Sequence, residues 1–130
     1  MPKRVFLSFV EEDLDLVNLF RGQAKNKNSS LEFSDYSVRE PYDSTNAAYI
    51  RGKIRERIAA ASVTICLIGE DTYKSKWVNW EITTSDEENN NIFGVRLHSS
   101  ATRDTSPNAL TTLKRPVYNW DIDAIVKAIG

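Results

Sequence analysis

The sequence predicts an α/β domain: a five-stranded parallel sheet covered by helices on both faces. Two observations predict it. Short apolar, β-prone runs alternate along the chain with stretches of helical period. Strands separated by helices pair in parallel through right-handed crossovers, which buries both faces of the sheet. Size and composition agree. The chain has 130 residues, 41% hydrophobic and 27% charged, which reads as a single domain over 1–130 with a core that needs no disulfide or metal to complete it.

Val5-Phe6-Leu7-Ser8-Phe9 has the character of a buried central strand. Glu11-Glu12-Asp13 suits the first turn of a helix, where the dipole is positive. Leu14, Val17, Phe20 or Arg21, and Ala24 continue it at helical spacing until Asn26–Ser30 breaks the pattern. Leu31-Glu32-Phe33 is a short second strand. A polar loop with Pro41 follows from Ser34 to Ser44, and Asp43 or Ser44 is placed to cap the next helix. Ala47, Ile50, Ile54, Ile58 and Ala61 form the apolar stripe of that helix, and Arg51, Lys53, Arg55 and Arg57 a solvated basic stripe. Gly52 costs the helix ~1 kcal/mol, for which close packing is a candidate reason.

Val63–Ile68 is the clearest buried strand, ended by Gly69. Ser75 is a candidate cap for a helix through Trp77, Val78, Glu81 and Ile82, stopped by Asp86-Glu87-Glu88 and Asn89-Asn90-Asn91. Ile92–Leu97 is the fourth strand. A long polar connection over 98–116 has room for one helical turn. Val117-Tyr118 makes a short fifth strand, and Asp121 caps a last helix with Ile122, Ile125, Val126 and Ile129 inward. This pattern fits a flavodoxin-like three-layer sandwich of strand order 2-1-3-4-5, whose site lies outside the carboxyl ends of the strands beside the first. The tips to inspect are Ser8–Glu12, Ser34–Asp43, Gly69–Lys76 and His98 onward.

Composition excludes several classes. The single Cys66 cannot build a disulfide framework or a Cys-based zinc site, and the single His98 cannot build a His-rich metal site. Net charge is −1, which gives no bulk attraction to nucleic acid. No apolar run reaches the ~20 residues of a membrane helix, and Met1-Pro2-Lys3-Arg4 leads into a strand rather than a signal-peptide core. The expectation is a cytoplasmic domain without metal or resident cofactor. There is no GxGxxG, GxxxxGK[ST] or GxSxG motif. Glu11/Glu12 and Glu70/Asp71 partly match a response-regulator acid set, but no Lys stands at the end of the Val117-Tyr118 strand.

Three short segments carry candidate chemistry. In Ser75-Lys76-Trp77-Val78-Asn79-Trp80-Glu81-Ile82, Trp77 and Glu81 stand at i and i+4, one helical turn apart on one face. Spacing alone favours a solvated Glu beside a core Trp. In Phe6-Leu7-Ser8-Phe9, Ser8 can donate to a ligand and Phe9 can stack on a ring, or both can belong to a core strand and its loop. In Phe33-Ser34-Asp35-Tyr36-Ser37, Asp35 stands where an acid meets ribose hydroxyls in nucleotide-binding α/β folds, or makes a local turn. His98, at the end of the fourth strand, can line the same crevice or be structural.

These segments, in this order, resemble Toll/interleukin-1 receptor (TIR) domains over about residues 3–97. FLSF closes the first strand, FSD the second, and SKWVNWEI opens the helix after the third. Within the superfamily, the length and the Tyr36–Ser44 loop look most like bacterial TIR-like proteins of the Thoeris antiphage system. The resemblance implies NAD+ as substrate, release of nicotinamide, and a cyclic ADP-ribose-type signal read by a separate effector. It implies that Glu81 is catalytic, that Ser8, Phe9, Asp35, Ser37 and Trp77 contact substrate, and that activation involves a homo-oligomer. The chain departs from the pattern at Val10, where many enzymatic members carry a basic residue, and at Arg39-Glu40-Pro41-Tyr42, where an acid and a glycine are usual.

The implied chemistry suits these residue types. Nicotinamide leaves a cationic ring as a neutral molecule, so no strong general acid is needed, unlike ordinary glycoside hydrolysis. One carboxylate can hold ribose hydroxyls and stabilise an oxocarbenium-like transition state. Two other readings share the fold: a non-catalytic TIR interaction module, and a nucleoside deoxyribosyltransferase-like enzyme.

Overall fold

The computed structural model describes residues 3–35, 44–98 and 105–130. Five strands form one sheet: β1 (Arg4–Ser8), β2 (Glu32–Ser34), β3 (Val63–Ile68), β4 (Asn91–Arg96) and β5 (Val117–Asn119). Their order is β2-β1-β3-β4-β5 and every pairing is parallel. The expected fold and strand order are therefore observed. Five helices cover the sheet: α1 (Leu14–Lys27), α2 (Ala47–Ala60), α3 (Lys76–Glu87), α4 (Asn108–Thr112) and α5 (Ile122–Ile129). None among the described residues is long and apolar enough to cross a membrane.

Alternation along the strands divides the core in two. Val5 and Leu7, with Val63, Ile65 and Leu67, face one side, where they pack against Val17, Phe20 and Ala24 of α1 and Ile125 and Ile129 of α5. Phe6, Cys66 and Ile68 face the other. There Phe6 meets Ile50, Ile54 and Ile58 of α2, and Cys66 and Ile68 meet Val78 and Ile82 of α3 and Leu110 of α4. A Cβ on Gly94 would stand 2.9 Å from Ile68 and 3.1 Å from Leu110, so the absence of a side chain lets α4 lie down on β4.

Local signals set several boundaries. The hydroxyl of Ser75 accepts from the Val78 amide at 3.1 Å, and the Asp121 carboxylate accepts from Ala124 at 3.3 Å, which are the two expected caps. Asn89 adopts φ 62°, the left-handed turn that ends α3 within the asparagine run. Three expectations are corrected. The acids Glu11–Asp13 form a separate 3₁₀ turn ahead of α1. The residue capping α2 is Asn46, without a side-chain bond, while Ser44 contributes only its carbonyl, to the Ala47 amide. Gly52 faces open space, so packing does not account for it.

Candidate active site

The strand ends place Ser8 and Glu81 together. β1 runs centrally because Val5, Phe6 and Leu7 are buried on both of its faces, and that carries Ser8, itself 0% exposed, to the carboxyl edge. Ser8 follows Phe6 by two residues and so faces α2 and α3. The α3 helix lies on that face because Val78 and Ile82 turn inward, and Glu81 precedes Ile82. The Ser8 hydroxyl donates to Glu81 Oε1 at 2.7 Å, across 73 residues of sequence. Cys66, the register partner of Ser8 on β3, is buried beside them.

Burial dominates the electrostatics of this pair. Glu81 is 4% exposed, and the loss of water raises its pKa from 4.5 to about 8. The Ser8 hydroxyl works the other way, because it donates to the ionised form. The Asp35 carboxylate adds a smaller upward push. The Cys66 thiol is pushed up as well, by burial first and the Glu81 charge second, so it is an inert neutral wall. Glu81 is thus a mostly neutral carboxyl at pH 7, held by a hydroxyl, and a nearby cation would ionise it.

The other expected residues lie around this pair in different ways. Asp35 follows β2, and Arg21 of α1 binds its carboxylate at 2.6 Å. Arg57 of α2 donates to the Asp35 backbone carbonyl, so arginines from both faces of the sheet hold Asp35. Phe9 turns away from Ser8, as consecutive strand-end residues do, and packs on the α1 core with the Arg21 guanidinium 5.9 Å from its ring centre. Trp77 packs a turn before Glu81 against the Phe6–Ile54 cluster, edge to face with Trp80 at 6.2 Å. Ser37 and the Arg39–Tyr42 segment lie outside the described residues. His98 is half-buried and neighbours Asp13 on the α1 side.

Sequence reasoning missed Arg21, whose helical position looked like a choice between apolar and solvated. It also missed a buried polar set beneath Glu81 formed by Thr64, Ser85 and Asn90. An asparagine inside a run of three is the only local hint of the last. Among the described residues no group of His, Cys, Asp and Glu could hold a metal ion.

The chain is similar to several known proteins. A bacterial protein from Bacillus cereus (strain MSX-D12), named "Putative cyclic ADP-D-ribose synthase ThsB1", is 35% identical over 103 residues, covering 76% of this chain and 54% of that protein. The chain thus spans about half the length of that relative. Among solved structures, the IL-17 receptor B SEFIR domain superposes with TM-score 0.56 at 16% identity, covering 100% of this chain and 99% of that one. A 3-dehydroquinate dehydratase-like protein from Bifidobacterium longum superposes at 0.52 and 14% identity, covering 99% and 93%. At such identities both show the fold alone. The family described as Thoeris protein ThsB, TIR-like domain, matches residues 6–102, and the chain belongs to that family.

Proposed function

We propose that the protein cleaves the bond between nicotinamide and ribose in NAD+ and forms a cyclic ADP-ribose-type product, in a Thoeris-type antiphage response. The observation that carries this reading is the buried Glu81 carboxyl bonded to Ser8 at the carboxyl edge of the sheet. The named activity of the Bacillus relative supports it. A separate effector that reads the product and assembly into a homo-oligomer belong to the same proposal.

In this reading Glu81 has a concrete task. NAD+ brings a positively charged nicotinamide ring, and a cation beside a buried carboxyl favours its ionised form. Binding therefore ionises Glu81, and the carboxylate accepts from ribose hydroxyls while positive charge develops on the ribose ring. Ser8 holds one carboxylate oxygen and leaves the other for substrate. The low-dielectric floor of Cys66 and Phe6 strengthens this interaction and keeps water away. Exclusion of water decides the product: attack by an atom of the bound nucleotide closes a ring, and attack by water gives a linear product. In the same reading Asp35, held by Arg21, accepts from the more distant hydroxyls.

The test is incubation of concentrated protein with NAD+, with Glu81→Gln alongside, followed by chromatography and mass detection. Nicotinamide release that the variant lacks is the expected result, with a co-product of the mass of a cyclised ADP-ribose. Equal release from both proteins would remove Glu81 from the mechanism. No release from either, at high concentration and in extract of phage-infected cells, would favour an interaction module.

A further inference from the structure

The face of the sheet that carries Ser8 also carries polar groups the proposed reaction does not use. Thr64 and Ser85 are 0% exposed and Asn90 is 5% exposed. The Asn90 side-chain amide donates to the Ile58 carbonyl at the end of α2, at 3.1 Å, and to Thr64 Oγ1 at 3.2 Å. The Thr64 hydroxyl donates to Ser85 Oγ at 2.8 Å, and the Ser85 hydroxyl donates to the backbone carbonyl of Glu81 at 2.8 Å. Each hydroxyl accepts one bond and donates one, so the chain keeps a single direction from Asn90 to Glu81. The left-handed Asn89 folds Asn90 back under the helix, where its backbone N–H donates to the Ser85 carbonyl at 3.0 Å.

Filling space does not require this arrangement. Valine at position 64 and alanine at 85 would occupy nearly the same volume without burying hydroxyls, whose desolvation is a cost. What the hydroxyls add is direction. Glu81 is tied through its side chain to Ser8 on β1, and through its carbonyl and Ser85 to Thr64 on β3. β1 and β3 are adjacent strands. Two tethers to neighbouring strands set both the height and the rotation of the α3 turn that bears the carboxyl.

We propose that Thr64, Ser85 and Asn90 are positioning residues for Glu81, a hydrogen-bonded chain that sets the α3 turn so that its carboxyl meets Ser8. The proposal rests on the reading of Glu81 as the reacting carboxylate.

The experiment separates hydroxyl from packing. Thr64→Val keeps the shape and loses the hydroxyl; Thr64→Ser keeps the hydroxyl and loses a methyl. The expected result is a kcat for nicotinamide release about tenfold lower in Thr64→Val, with KM within about twofold, and a lower Tm because the buried Asn90 amide and Ser85 hydroxyl each lose a partner. Thr64→Ser should keep wild-type kcat despite a lower Tm. Activity would then follow the hydroxyl although both variants lose stability. Ser85→Ala, checked for folding by circular dichroism, should behave as Thr64→Val. Full kcat in Thr64→Val, or equal losses in the Val and Ser variants, would overturn the proposal. A second readout does not depend on turnover: the Glu81 carboxyl titrated by 13C NMR, assigned with Glu81→Gln. In Thr64→Val a loosened Ser8 contact moves the midpoint up by about half a unit, and in Thr64→Ser it stays. An unmoved midpoint in Thr64→Val overturns the proposal even if wild-type protein releases no nicotinamide.

Discussion

Two carboxyls at the same edge of the sheet make an instructive pair. Glu81 of α3 meets Ser8 at the end of β1, and Asp13, just ahead of α1, lies against Gly69 just past the end of β3. Burial is the first cause of a raised pKa in both. Their partners differ. Glu81 receives the Ser8 hydroxyl at 2.7 Å. Asp13 Oδ2 is buried with no hydrogen-bond partner among the described residues, wedged where a Cβ on Gly69 would stand 2.1 Å away. His98 favours its charged form, while Glu12, Asp71 and Glu70 oppose it. A shifted pKa alone therefore does not locate a site. A donor aimed at a specific oxygen distinguishes Glu81, the carboxyl of the proposed reaction, from Asp13, which packing alone surrounds.

The sharpest way to break this comparison is to neutralise each acid in turn. Glu81→Gln should lower nicotinamide release on the order of 10²–10³-fold or more, whereas Asp13→Asn should leave it within about threefold. Progress curves on the two variants decide it, and a larger loss in Asp13→Asn would reverse the assignment. Glu81→Gln also has a stability signature. The folded pKa near 8 lies above the unfolded 4.5, so the native state binds the extra proton and wild-type stability falls as pH rises through that window. The glutamine variant lacks this loss. Urea unfolding should show it more stable than wild type at pH 9, by up to about 4 kcal/mol, with the gap closing towards pH 5.

Gly69→Ala tests the packing half of the comparison. The new methyl must displace the Asp13 carboxyl, at a cost of about 1–3 kcal/mol in denaturant unfolding. In an Asp13→Ala background most of that cost should vanish, and a cycle of the four proteins measures the coupling. Ser8→Ala sharpens the other half. It removes the donor that favours ionised Glu81, so the acid limb of the kcat/KM profile should move to higher pH by about one unit, with about a tenfold loss at pH 7. An unmoved limb would mean that Ser8 does not set the charge of Glu81. The smallest effect belongs to Arg21→Gln. Its pair with Asp35 is about a quarter exposed, and its loss should change unfolding by under about 1 kcal/mol while raising KM.

The degree to which each part was legible in the sequence follows from how local its cause is. The β3 run was readable to its ends because six consecutive residues are buried and all are β-compatible. The caps at Ser75 and Asp121 were readable because capping needs a donor three residues away. The start of α2 was misplaced because its capping residue makes no side-chain bond and leaves no signature. In the site, spacing put Trp77 and Glu81 a turn apart but gave no sign that the tryptophan would join the α2 cluster. Only the resemblance to a family pointed to Ser8 and Glu81 together, since nothing links residues 73 apart except the fold.

By itself, then, the sequence determined the order of strands and helices, the parallel sheet, the edge at which a site must lie, and the family. The first three rest on short-range patterns of burial and on crossover handedness, which act along a few neighbouring residues; the family rests on the resemblance of three short motifs. Tertiary structure alone decided which polar groups meet. It set the Ser8–Glu81 bond, the hold of Arg21 on Asp35, and the Asn90–Thr64–Ser85 chain beneath the carboxyl. A hydrogen bond requires placement within a few tenths of an ångström, and such placement comes only from strands and helices packed against one another.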